Sequence, residues 1–402
     1  MRSAHHAALA AAGLALVFLG VGSLRPASAQ VAQTAYRFQT IQPHPQIHAL
    51  GNATVAARGY PGAIGINPAA IGTDGAVRIG STLNLSRGPL YSSPWNVSPL
   101  INSIAAPSAT VKVGRWAAGL QLKHFDWKDR EFRNSQGETI GTTAHQQSIK
   151  GATAYEVNPK VTVGAGINLI RSRLPFRFGR DIEHHFTFDL GVQYQTQVEK
   201  DLATLRPALG LSLTDFGGNV SYENRSGDLA APTMIRGGGG LQIVSRSKQF
   251  GRPEWRIGLY GALSNQLVNG AFRDSTGHFE ADGPFKALFA GWGSTAGVSQ
   301  SRGERAEVSP WGRITKHAGL EMSALDLLSI RLGRFHENED NGSRQYTALG
   351  LGLDAYYVSL DASWTLGDED PFQQFSYGRL TVRIPLSDSS RNFWPALLGN
   401  DR

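Results

Sequence analysis

Between His185 and Val198 apolar and polar residues alternate. Phe186, Phe188, Leu190, Val192, Tyr194 and Val198 fall on one face, and His185, Thr187, Asp189, Gln193, Gln195 and Gln197 on the other. Side chains of a β-strand point alternately to opposite faces, so the segment predicts a long strand with one apolar and one polar side. Soluble strands usually run about 5–6 residues, whereas a tilted membrane-spanning strand needs roughly 9–11. Length and clean alternation together favour a barrel wall with lipid outside and water inside.

The pattern recurs along the chain. Val77 to Leu85, Val111–Val113, Ala118 to Leu122, Ile149 to Val157 and Val161 to Leu169 precede the opening strand. Leu205 to Leu213, Thr233 to Ile243, Trp255 to Leu263, Ile314 to Met322 and Leu328 to Leu332 follow it. Tyr346 to Asp354, Val358 to Leu366 and Leu380 to Leu386 complete the set. The sequence thus predicts an all-β, antiparallel transmembrane barrel of about fourteen strands, an even number as single-chain outer-membrane barrels require.

Loop lengths test that count, because such barrels place short turns in the periplasm and longer loops outside. Counting from a periplasmic N-terminus, the outer loops fall at 87–106, 128–146, 172–184, 215–232, 266–309, 338–343 and 367–373. The inner turns fall near 115, 158–160, 199–203, 246–253, 323–326 and 355–357. The segment Phe285, Ala287, Phe289 and Gly291 has strand spacing, but a strand there would make the total odd, so it is assigned to the long loop.

Residues 1–29 read as a secretory leader: Arg2, an apolar Ala7–Val21 stretch and Ala27-Ser28-Ala29 before Gln30. The barrel then spans 76–386 and a tail spans 387–402. The N-terminal segment 30–75 is rich in Gly, Ala, Pro and Asn; it is either a disordered periplasmic tail or a hatch folded into the barrel mouth. Cysteine is absent, which excludes disulfides and thiolate metal sites. The 47 glycines and negative mean hydropathy suit a polar lumen inside an apolar exterior. A net charge of +7 without a basic-aromatic cluster gives no basis for nucleic-acid binding.

Catalytic and cofactor chemistry finds no support. Glu183-His184-His185 lacks a second ligand cluster, and the Gly237–Gly240 run is followed by no Lys-Ser/Thr. The reading is therefore a non-enzyme with no cofactor, no metal and no catalytic residue. Arg171, Arg173, Arg177 and Arg180 give one basic outer loop, suited either to anionic headgroups or to solvent.

Three stretches resemble a known family. Gly51-Asn-Ala-Thr-Val-Ala-Ala, followed by Asn67-Pro68-Ala69, is similar to the start of FadL-type barrels and their PorV/PorQ relatives. Ser329 to Glu337, Asn341 to Leu353 and Ser359 to Trp364 resemble the PorV pattern more specifically. Leu213-Thr-Asp-Phe-Gly with Ala231-Pro-Thr-Met-Ile-Arg-Gly is a third match; here Asp215 stands where the family usually has Asn and Ala231 where it has Leu. By parity Arg331, Asp361 and Ser363 face the lumen, where an Arg–Asp ion pair is expected. Gly350 and Gly352 leave room where backbone or plug approaches.

The resemblance implies a Gram-negative outer-membrane protein in contact with lipid. It also implies a component of the type IX secretion system that receives exported cargo proteins at the translocon. In that role the long outer loop, with Phe285, Phe289, Trp292 and Trp311, is the expected partner contact. The rival expectation is a FadL-like channel for hydrophobic small molecules such as long-chain fatty acids, with Asn67, Pro68 and Ala69 gating an apolar pocket. A structural barrel with neither role is the third.

Overall fold

The computed structural model describes residues 34–72, 75–84, 101–127, 130–133, 139–142, 145–173, 182–221, 228–272, 279–301, 304–338, 341, 344–366 and 376–386, so the expected outer loop at 367–373 lies outside the described residues. The leader and the 387–402 tail lie outside the described residues, and so do Arg177 and Arg180.

Fourteen staves close one antiparallel barrel. They begin with β1 (Ala76–Asn84), β2 in two segments (Ile101–Ala105 and Ser108–Val113), β3 (Trp116–Trp127) and β4 (His145–Glu156). β5 (Val161–Arg173), β6 (Ile182–Gln195), β7 (Ala203–Phe216), β8 (Met234–Ser245) and β9 (Trp255–Gln266) follow. The remainder are β10 (Thr315–Ala324), β11 (Leu328–His336), β12 (Gln345–Asp354), β13 (Val358–Leu366) and β14 (Ser376–Pro385). Each stave pairs with its neighbour in sequence, and β14 returns to β1 with Ala76 opposite Pro385 and Asn84 opposite Tyr377. Each of the fourteen staves is paired on both sides, which is what allows strands to span a bilayer.

The opening strand differs in extent from its sequence reading. It starts earlier, at Ile182, and ends at Gln195; Val198 belongs to a short piece paired with Leu205. The long inner connection at 246–253 is a small hairpin, Lys248–Gln249 against Arg252–Pro253, turned at Phe250 and Gly251 with positive φ. The 266–309 loop contains two hairpins and a helix, α2 (Pro284–Ala290), so the strand-like spacing at 285–291 belongs to a helix inside the loop.

The two faces of the wall differ sharply. Outward positions such as Ile79, Leu83, Phe186, Phe188, Leu190, Leu209, Leu211, Ile330, Leu360 and Leu380 are exposed apolar side chains. Tyr155, Trp116 and Trp255 sit near the inner end of this belt, with the Trp116 and Tyr155 rings in tilted contact at 4.6 Å. An apolar belt edged by aromatics around a closed barrel marks an outer-membrane protein of a Gram-negative cell. Inward positions are buried and largely polar, including Gln121, Lys150, Asn168, Asp189, Gln193, Arg236, Glu321, Arg331 and Arg379.

The lumen is filled by residues 34–72. The described segment starts at the outer mouth, where Thr34 pairs with Ala230, and descends to β1 at the inner end. The segment contains α1 (Pro45–Ala49) and short 3-10 turns at Arg37–Thr40, Thr54–Ala56, Ala63–Gly65 and Pro68–Ala70. Such turns leave many backbone groups without partners in the segment itself, and the polar wall supplies some of them.

Candidate functional site: a plugged lumen and its apolar collar

The hatch is seated on glycines. At the inward positions Gly164, Gly191, Gly210, Gly319, Gly333 and Gly350 an added Cβ would fall within 3.0 Å of hatch atoms belonging to Ala69, Asn67, Val55, Leu50, Gly51 and Ala49 in turn. Gly350 therefore serves the close approach expected of it. Gly352 does not face the hatch; its missing side chain makes room for Asp361 and Arg331.

Asn67, Pro68 and Ala69 form a capped turn against β5 and β6. Asn67 is fully buried, its Oδ1 accepts from the Ala69 amide at 3.0 Å, and its Nδ2 donates to the Val55 carbonyl at 2.8 Å and to Val192 at 3.3 Å. One side chain thus ties two hatch turns to the wall, because Asn alone carries both a strong acceptor and two donors at this size.

Arg331, Asp361 and Ser363 come together on the inward face of β11 and β13. Arg331 donates from Nη1 to Asp361 at 2.8 Å and from Nε to Glu321 at 2.5 Å. The hatch completes this cluster: Gln46 Nε2 donates to the second Asp361 oxygen at 2.6 Å, and the Tyr60 hydroxyl donates to Glu321 at 3.1 Å. Ser363 lies 3.0 Å from His48 Nδ1, and the His48 ring stacks on Tyr346. Glu321, Gln46, Tyr60 and His48 were not identified from sequence; Glu321 has inward parity, but the hatch residues carry no periodicity to reveal them.

A second charge cluster occupies β4 to β7. Lys150 Nζ lies 2.6 Å from Asp189 and 3.2 Å from Asp215, while Asn168 donates to Asp215 at 3.0 Å. Asp215 has φ +55, a conformation that Asn and Asp tolerate better than other side chains.

Towards the outer mouth the lumen turns apolar. Phe38 of the hatch is buried with Tyr36 among Ile104, Phe125, Ile170, Val220, Leu229 and Tyr377, its ring meeting Phe125 edge-on at 5.3 Å. The hatch thus inserts an aromatic stopper into an apolar collar. On the lipid side, an open apolar hollow of about 840 Å3 spans β11 to β14 and β1, its lining including Leu83, Ile330, Leu351, Leu360, Ala362, Trp364 and Leu380. Only the thickness of β13 separates it from α1, since Asp361 and Ser363 alternate with Leu360, Ala362 and Trp364.

The outer loop presents the four aromatics singled out by sequence. Phe285 is 71% exposed, Phe289 83%, Trp292 46% and Trp311 62%. Buried Arg313 organises this region by donating to the carbonyls of Gly293, Gln266 and Val268, and burial pulls its guanidinium down to about 10.

No family model and no curated protein matches the chain. By structure it is similar to the Ralstonia pickettii toluene transporter TbuX, at 12% identity, 85% of this chain, 96% of that chain and a TM-score of 0.40. The Pseudomonas putida toluene transporter TodX gives 11%, 84%, 96% and 0.41. CdiB from Acinetobacter baumannii gives 12%, 78%, 60% and 0.37. Likeness at this level carries no argument about the present chain, whose architecture rests on its own strand pairing.

Proposed function

We propose that this protein is a hatch-regulated outer-membrane channel for hydrophobic small molecules, in the class of long-chain fatty acids or monoaromatic hydrocarbons. The observation that carries the reading is the apolar collar at the outer mouth, occupied by Phe38. A side chain that fills an apolar pocket marks a site where an apolar ligand of similar cross-section gains the same burial energy once the hatch withdraws. The polar inner lumen supports a route that leaves the axis, and the hollow behind α1 is the apolar surface nearest to it. In this reading Asn67-Pro68-Ala69 anchors the hatch while Phe38 yields to ligand.

Titration of the purified full chain with oleate and with toluene tests the proposal. Ile170→Asn is expected to weaken binding about tenfold, the ratio that roughly 1.4 kcal/mol represents. Phe38→Ala is expected to strengthen it. Unchanged affinity in both variants would sink the collar as a ligand site.

A second reading, cargo docking in type IX secretion, is supported by the exposed aromatics of the 266–309 loop and the sequence resemblance. It expects loop replacement to abolish export while the barrel still assembles. Normal export in that variant would end it.

A further inference from the structure

The helix α2 lies outside the barrel wall, beyond the lumen opening. Phe216 at the end of β7 is paired with Phe188, an exposed belt residue, and therefore points outward. Phe285 of α2 packs edge-on against Phe216 with ring centroids 5.4 Å apart. At the other end of α2, Asn265 of β9 donates to the Gly291 carbonyl at 3.0 Å. Asn265 alternates with lumenal Ser264, whose hydroxyl meets His317 inside the barrel, so Asn265 too is an outward position. The helix therefore crosses the outer ends of β7 and β9 on their lipid side.

Its exposed residues suit that place. Phe285 and Phe289, at i and i+4, share one side of α2, and Trp292 follows just past its C-terminal end, its indole Nε1 donating to the Leu288 carbonyl at 2.9 Å. Ala287 is turned inward and buried. Lys286, paired with Asp282 at 2.8 Å, is the helix's charged side chain, and its long stem can carry the ammonium to headgroup level. The apolar side continues the established lipid-facing belt of Phe186 and Phe188 past the rim. We propose that α2 is a membrane anchor seated in the outer leaflet, with Phe285, Phe289 and Trp292 at the boundary between headgroups and acyl chains. This inference stands on the barrel's place in the membrane and is independent of what the lumen carries.

Because the chain has no cysteine, F289C provides its one thiol. The full chain is refolded into vesicles of palmitoyl-oleoyl phosphatidylcholine and phosphatidylglycerol with a nitroxide label at that position. Collisions with oxygen, which partitions into lipid, and with a water-soluble nickel chelate are then compared. L209C supplies the lipid-facing standard and K248C the aqueous one. The label at 289 is expected to show the oxygen-to-nickel ratio of L209C, several-fold above that of K248C. A ratio like that of K248C overturns the proposal, and low collision with both reagents overturns it in favour of a docked protein. If F289C assembles poorly, W292F is compared with the native chain in vesicles whose lipids are brominated high on the acyl chain. The variant is expected to lose part of the tryptophan quenching; unchanged fractional quenching overturns the anchor.

Discussion

The buried charge of the barrel gathers on two sides, and the sides are completed differently. On β4 to β7 the Lys150, Asp189, Asp215 and Asn168 contacts all come from the wall. On β10 to β13 the Glu321–Arg331–Asp361 group is completed by the hatch: Gln46 meets the Asp361 oxygen that Arg331 leaves, and Tyr60 joins Arg331 on one Glu321 oxygen. The first cluster holds strand to strand. The second makes the packed hatch a condition of its own hydrogen bonding, since a buried carboxylate short of donors is costly. The charge group that the hatch completes thus lies on the side that also carries the apolar hollow, and the charge cluster opposite is braced without it.

Breaking the self-contained cluster has the largest expected effect. Lys150→Met leaves two buried carboxylates facing each other and is expected to cost about 3–5 kcal/mol, seen as a lower thermal unfolding midpoint of the barrel. Adding Asp215→Asn should recover part of that loss; an unchanged midpoint in Lys150→Met would erase the distinction between the clusters.

Gln46→Ala acts on the other side. Losing a hydrogen bond to a buried charged group is expected to weaken hatch docking by about 1.5–3 kcal/mol. Hydrogen exchange should quicken across 45–60 while the amides of β4 to β7 keep their protection. Equal acceleration in both places would mean that hatch and wall form one cooperative unit.

The smallest effect is expected for Asn67→Ala. It removes a cap worth about 0.5–2 kcal/mol, read as faster exchange at the Ala69 amide. Because Asn67 sits against β5 and β6, exchange near Gln46 should stay unchanged. Loosening of both segments would show that the hatch moves as a rigid body.

The wall was legible in the sequence because alternation and loop parity are properties of single strands and their spacing. The positions of Asp189, Arg331, Asp361 and Ser363 on the inward face follow from that parity alone. The Lys150 partnership was not legible: it depends on β4, β5, β6 and β7 lying side by side in one register, as Lys150 opposite Asn168 and Asn168 opposite Thr187 show. Gln46, His48 and Tyr60 escaped because the hatch has no repeat that assigns a side chain to a face. The helix at 284–290 escaped for a related reason. Over so few residues an apolar run does not separate a strand from a helix turn.

The glycine seat has a consequence for the order of assembly. Residues 34–72 precede β1 in the chain, yet they end up enclosed by strands made afterwards. With hatch atoms this close to the wall backbone at six glycines, little clearance remains for threading a folded hatch into a finished cylinder. The hatch must already lie along the nascent sheet when β14 meets β1, and Arg379, which reaches from β14 to Thr82 of β1 and Ser108 of β2, latches that seam. The plug is then a mandrel around which the cylinder is wound, and errors in its sequence are expected to surface first as failures of closure during biogenesis.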